Sequence, residues 1–177
     1  MRAASLFPLV LLLVLAGPVR GAHAQTRYDP DRNQALGAIA GAASGAGVSY
    51  EEVLPSGFGY RGALVFWSVG DFSFFDFGVS GLRLLGDDRG QRIYLVGSLA
   101  YWRRSDEERE TLFDGRGNVA GERVFDDVDD SWAMGFGAGL QRPIGERVAV
   151  TLEALFTYWA ESGDVLPLPQ IGIGYRF

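Results

Sequence analysis

The chain has 177 residues, a net charge of −6, no cysteine and no lysine, so every basic residue except one histidine is an arginine. This length suits one domain, and the lack of cysteine excludes a disulfide framework. The acidic balance argues against a nucleic-acid partner.

The first 24 residues have the features of a secretory signal peptide. Arg2 precedes an apolar run over residues 6–16, and Ala22-His23-Ala24 is a small-residue cleavage site. The run is well short of the roughly 20 residues that a spanning helix needs. Cleavage after Ala24 would leave 153 residues with a net charge of −8, no histidine, and no cysteine for lipid attachment.

The stretch that follows is rich in glycine and alanine. Residues 35–48 are apolar and small but too few to span a membrane as a helix. A secreted chain that stays in a membrane without such a helix has one other option, a closed β-barrel. We therefore expect strands over residues 35–41 and 47–54, joined by a tight outer turn, although Gly-rich strands specify their register weakly.

Three segments with a side-chain period of two come next, over residues 60–67, 72–85 and 92–102. In the second, apolar and small or polar side chains alternate: Phe75, Phe77 and Val79 against Asp76, Gly78 and Ser80. The alternation fails at residues 82–85, which predicts a bulge or a strand end there.

The segment 105–130 is a long, charged connection with ten carboxylates and three arginines. At its centre, Asp114-Gly115-Arg116-Gly117-Asn118 has the composition of a hairpin turn. We expect a ribbon that extends beyond the membrane. One alternative is a divalent-cation site at Asp126, Asp127, Asp129 and Asp130, which lacks EF-hand spacing. Arg103 and Arg104 precede the ribbon and suit lipopolysaccharide phosphates.

The alternation resumes over residues 132–140, 147–159 and 170–177. In the last segment Ile171, Ile173, Tyr175 and Phe177 share one face. The links at 86–90 and 143–146 are short, as periplasmic turns are, whereas 105–130 and 161–169 are longer, as outside loops are. This assignment places four tryptophans at the outer ends of their strands and predicts an interfacial aromatic girdle: Trp67, Trp102, Trp132 and Trp159. A tryptophan core of a soluble sandwich would not predict a common level.

The leader, the alternating segments, the aromatic rim and the closing Tyr175-Arg176-Phe177 resemble the small eight-stranded outer-membrane barrels of the OmpA and OmpX type. The resemblance implies an all-β fold, an eight-stranded antiparallel up-and-down transmembrane barrel over residues 34–177, preceded by a periplasmic segment at 25–33. It also implies the outer membrane of a Gram-negative bacterium, contact with outer-membrane lipid and lipopolysaccharide, and a monomer. In that family the closing stretch is read by the barrel-assembly machinery, and this role is carried over to Ile173, Tyr175 and Phe177.

The inward faces of the expected strands carry charge, at Glu51, Arg61, Asp76, Glu153 and Arg176. An eight-stranded barrel is just wide enough for its own side chains, and buried charges must pair. The expectation is a lumen plugged by arginine–carboxylate pairs, with a narrow gated channel as the alternative.

Catalysis is not expected. Oxygen nucleophiles need a base near neutral pH, and the mature chain lacks histidine and cysteine. The sequence predicts no catalytic residues, no cofactor and no metal. Three functions remain: a structural or surface-interaction barrel, a narrow transport channel, and a soluble periplasmic lipid-binding barrel.

Overall fold

The computed structural model describes residues 32–88, 91–113 and 119–177. The described residues form eight strands: β1 Gln34–Gly41, β2 Gly45–Val53, β3 Phe58–Val69, β4 Phe72–Asp88, β5 Gln91–Phe113, β6 Val119–Ile144, β7 Val148–Trp159 and β8 Val165–Arg176. Each strand pairs antiparallel with the next, and β1 pairs with β8. The predicted all-β, eight-stranded antiparallel barrel is confirmed. The expected leader and most of the 25–33 segment lie outside the described residues.

The alternation of side chains separates an apolar outer face from a more polar lumen. On β3, Arg61 and Ala63 are buried, whereas Leu64 and Phe66 are exposed. Every strand presents large exposed apolar side chains, among them Leu36, Val48, Phe66, Phe77, Ile93, Trp132, Phe156 and Ile171. No helix in the described part of the chain is long and apolar enough to cross a membrane.

The barrel is staggered. The stagger is found by following directly paired residues once around the barrel, from Ala35 through Glu51, Arg61, Ser80, Ser98, Gly135, Thr157 and Leu166. If the pairing of β1 with β8 is extended, the partner of Leu166 would be position 45, which is ten residues beyond the starting residue. Tilted strands and a staggered register are what allow a sheet to close on itself. Residues at one height are therefore offset by little more than one residue from strand to strand.

Two strands continue beyond the barrel wall. β4 pairs with β5 as far as Asp106, and β7 pairs with β6 as far as Ala133. The β5–β6 hairpin then continues by itself to the pair Phe113–Val119, which at about 3.3 Å per residue is roughly 23 Å past Asp106. We call residues 105–130 the acidic ribbon. At the other end of the barrel, the predicted irregularity is confirmed as a register shift between Leu84 and Gly86.

The turn between β1 and β2 differs from the prediction. Residues 42–44 do form a tight turn, but Ala43 and Ser44 are 0% and 1% exposed because the turn folds into the lumen. Two glycines make the space: a Cβ on Gly78 would lie 2.1 Å from the Ser44 carbonyl oxygen, and one on Gly135 would lie 2.5 Å from Ala43 Cβ. We call residues 42–44 the inward turn.

Candidate functional site in the barrel lumen

Arg61 lies at the centre of the polar lumen. Its Nη1 donates to Glu153 Oε1 at 2.6 Å, and its Nε and Nη2 donate to Glu51 Oε2 at 3.0 and 2.8 Å. Nη2 also donates to the hydroxyl of Tyr94 at 3.2 Å. All four side chains are buried, so one guanidinium links β2, β3, β5 and β7.

Glu153 accepts further hydrogen bonds from other parts of the lumen. The Tyr94 hydroxyl donates to Oε1 at 2.6 Å, and the Ser44 hydroxyl donates to Oε2 at 3.4 Å. The inward turn is therefore fastened to the same carboxylate that Arg61 holds. A buried carboxylate with several donors has the compensation that an isolated one would lack.

A second layer of polar side chains lies toward the end of the barrel opposite the ribbon. The side-chain nitrogen of Gln141 donates to Glu51 Oε1 at 3.2 Å, and its side-chain oxygen Oε1 accepts from Arg176 Nη2 at 2.5 Å. Arg92 pairs with Asp87 at 3.0 Å and reaches Glu51 at 3.9 Å. Arg61, Arg92 and Arg176 thus lie among Glu51, Glu153 and Asp87, and the charges of this network balance.

The structure brings three of the five expected lumen charges into direct contact: Glu51, Arg61 and Glu153. Arg176 joins them through Gln141. Asp76 does not join them, because it lies nearer the ribbon end, where the backbone N–H of Ala46 donates to its carboxylate. Among the described residues its Oδ1 has no hydrogen-bond partner.

Sequence reasoning missed Tyr94, Arg92 and Gln141 as network members. The first two share the parity of Ser98 and Ala100 on β5, so the alternation already indicated their inward direction. Gln141 has the parity of Gly135 on β6. What no pattern indicated was that these side chains meet Glu51 and Glu153 across the lumen.

A small cavity lies beside the polar network. A cavity of about 20 Å³ lies among Ser49, Glu51, Arg61, Gln141 and Thr151. A cavity of that size has room for about one water molecule, which needs a minimum of roughly 10–15 Å³.

The four tryptophans share a height but not a face. Allowing for the stagger, they lie within about one residue of one another along the barrel axis. Trp132 is on the outer face. The other three tryptophans each alternate in step with a buried, lumen-facing residue of the same strand: Trp67 with Arg61, Trp102 with Ala100, and Trp159 with Thr157. The girdle prediction is therefore wrong for Trp67, Trp102 and Trp159, which lie on the lumen face at the mouth.

A smaller aromatic band does lie on the outer surface at this height. The rings of Tyr101 and Trp132 are 4.8 Å apart, and those of Phe75 and Tyr101 are 6.4 Å apart. Arg103 follows on the same face as Tyr101. Arg104 has the opposite parity and pairs with Asp106 beside Phe72, so the two arginines do not act together.

The closing residues and the acidic ribbon have separate environments. Ile173, Tyr175 and Phe177 are exposed on the outer face, and Arg147 donates to the Tyr175 hydroxyl at 3.1 Å.

In the ribbon, the aspartates of the candidate cation site lie on different faces. Asp127 and Asp129 are on one face and Asp130 is on the other, where Asp130 accepts from Tyr101 at 3.3 Å. No group of three possible metal ligands occurs in the described ranges.

No family model matches the chain, and no curated protein matches it. Among solved structures, the chain is similar to the N-terminal β-barrel domain of Pseudomonas aeruginosa OprF. The two are 16% identical over 81% of this chain and 94% of that domain, with a TM-score of 0.47.

Proposed function

We propose that this protein is an integral outer-membrane barrel with a structural or surface-interaction role, and that its lumen is closed and non-catalytic. The observation that carries the membrane assignment is the apolar outer face. Large aliphatic and aromatic side chains are exposed on all eight strands, while arginines and carboxylates are buried inside. In water such a surface would be an aggregation hazard, whereas in a bilayer it is the solvated face.

Closure of the lumen is supported by side chains that span it. Arg61 on β3 and Glu153 on β7 come from opposite walls, and the inward turn occupies the space above them. The cavity of about 20 Å³ beside Glu51 and Arg61 is too small for a permeating solute. A polar, filled interior also disfavours the soluble lipid-binding alternative, which needs an apolar cavity.

The interaction role is proposed for the acidic ribbon, which extends past the barrel wall with both edges unpaired by other strands. Arg103 on the outer face above Tyr101 is proposed to contact lipopolysaccharide phosphate. For Ile173, Tyr175 and Phe177 we propose recognition by the barrel-assembly machinery. Their exposure on the outer face of the closing strand is compatible with that role.

A non-enzymatic role is supported by the structural hydrogen bonds that the lumen carboxylates accept. Glu51 and Glu153 both accept hydrogen bonds from Arg61, and Glu51 also accepts from Gln141. Carboxylates that are held by these structural donors are engaged by the fold and are not presented to a substrate.

Ion conductance in planar bilayers tests the closed lumen. We expect the wild-type protein to be silent, and the double variant Arg61→Ala/Tyr94→Ala, which removes two side chains that meet at the centre of the lumen, to conduct. Leu64→Ala on the outer face is the matched control and should be as silent as the wild type. Steady conductance of the wild-type protein would instead support the narrow-channel alternative.

The membrane assignment has its own test. The folded protein should need detergent for extraction and should migrate faster on electrophoresis before heating than after it. Release by osmotic shock without detergent would establish the soluble alternative and remove the proposal.

A further inference from the structure

Three of the four tryptophans form a ring inside the mouth of the barrel. Trp67, Trp102 and Trp159 stand on β3, β5 and β7, which are alternate strands, and all three have lumen parity at nearly one height. Trp67 remains 58% exposed, as expected for a side chain at an open rim, while Trp102 and Trp159 are half-buried. Aromatic side chains on three strands therefore lie at the entrance.

The ring has a floor with one carboxylate. Asp76 is the direct cross-strand neighbour of Trp102 and lies about one residue below the ring. It is 8% exposed, and its Oδ1 would lie 3.1 Å from a Cβ on Gly45, so it rests against the turn that closes the lumen. We call Asp76 and the three ring tryptophans the tryptophan cup.

Unused polar atoms lie beside the cup. Asp76 Oδ1, Ser131 Oγ and Thr157 Oγ1 are buried without a hydrogen-bond partner among the described residues. Ser131 lies directly across from Trp102, and Thr157 lies two residues before Trp159. Buried polar atoms in folded proteins nearly always have partners, so an unpaired group of this kind calls for a water or a ligand.

The approach to the cup is acidic. On the lumen-facing side of the ribbon, Asp127 and Asp129 are exposed beside Asp106, and these three carboxylates outnumber Arg104, which lies on the same face and pairs with Asp106. An excess of one sign of charge raises the local concentration of the opposite ion. The field at this mouth therefore attracts cations and repels anions.

We propose that the tryptophan cup binds a small organic ammonium ion from the ribbon side of the barrel. Tryptophan is the best aromatic partner for a quaternary or primary ammonium group, and a carboxylate below the ring supplies the countercharge. A hard metal cation would require several oxygen ligands in place of aromatic faces. A neutral apolar ligand would have no need of Asp76. This site goes beyond the proposed function and does not depend on whether the lumen below it conducts.

Calorimetric titration of the folded protein in non-ionic detergent tests the proposal, with choline and its neutral isostere 3,3-dimethyl-1-butanol as probes. Choline should bind at least about tenfold more tightly than the isostere, a difference set by the cation. Equal affinities would overturn cation recognition. No heat of binding up to roughly 100 mM choline would overturn the site itself.

Variants locate the binding. Trp102→Leu and Asp76→Asn should each weaken choline binding by about tenfold or more, whereas Trp132→Leu, at the same height on the outer face, should leave it unchanged. If Asp76→Asn weakens binding by loosening the inward turn, the Trp102→Leu result still decides the test, because Trp102 stands above that turn. Equal losses in Trp132→Leu and Trp102→Leu would overturn the proposal. So would loss of binding in Asp127→Asn/Asp129→Asn at high salt, because the ribbon would then be the site.

Discussion

The guanidinium of Arg61 lies 2.6 Å from the carboxylate of Glu153, a residue four strands away on the opposite wall of the barrel. Both side chains are buried, and among the described residues the one further charged partner of the pair is Glu51, which contacts Arg61. The contact couples walls that share no backbone hydrogen bonds. The stability of the barrel should therefore depend on this pair more than on any one pair within a wall.

Replacing Arg61 with methionine is expected to lower the free energy of unfolding by about 3–5 kcal/mol, because it leaves the buried Glu153 without its charged partner and leaves Glu51 with Arg92 at 3.9 Å. Urea unfolding of the protein in lipid vesicles, followed by tryptophan fluorescence, measures the loss. The double variant R61M/E153Q should lose less than R61M, because Glu51 and Asp87 then still balance Arg92 and Arg176. A loss under about 1 kcal/mol in R61M would contradict a central role for the guanidinium.

Gly78→Ala is expected to destabilise the barrel by about 1–3 kcal/mol, because its Cβ would meet the backbone of the inward turn 2.1 Å away. Gly62→Ala is the matched control, since a Cβ at Gly62 on the neighbouring strand has nothing within 4 Å. The same unfolding measurement compares the two. Equal stabilities of the two variants would mean that the turn does not occupy the lumen.

Trp132 should be the tryptophan that membrane lipid quenches. Four single-tryptophan proteins, each with the other three replaced by phenylalanine, are reconstituted in lipids brominated near the glycerol end of the acyl chains. Trp132 on the outer face should lose most of its fluorescence, while the three lumen-facing tryptophans should be quenched far less. Equal quenching of all four would restore the complete girdle that the sequence predicted.

The acidic ribbon should be dispensable for folding. Replacing residues 106–127 with Asn-Gly leaves Ser105 and Val128, which already pair, on either side of a favourable two-residue hairpin turn. The free energy of unfolding should change by less than about 0.5 kcal/mol, because the removed residues lie outside the barrel wall. The deletion also removes the like charges of Asp106 and Asp127, which face each other across the two strands. Failure of the shortened protein to fold would show that the ribbon supports the wall.

Much of the wall was predictable because it depends on local sequence. The period of two separates Phe77 and Val79 from Asp76 and Gly78, and no contact across the barrel is needed to determine it. The bulge near Leu84 was predicted for the same reason, since it interrupts a local alternation. The faces of Trp67, Trp102 and Trp159 were also present in their parity. Position along the strand determines only the height of these tryptophans, whereas parity determines the face on which they lie.

The sequence by itself determined eight strands, the outward and inward sets on most of them, and the long acidic hairpin, because each follows from neighbouring residues within one segment. Only the tertiary structure decided that the Gly-rich turn folds inward and that Arg61 meets Glu153. Both outcomes depend on the stagger at which β1 closes against β8, which sets the heights of residues more than ninety positions apart in the chain. A period of two carries no information about that stagger.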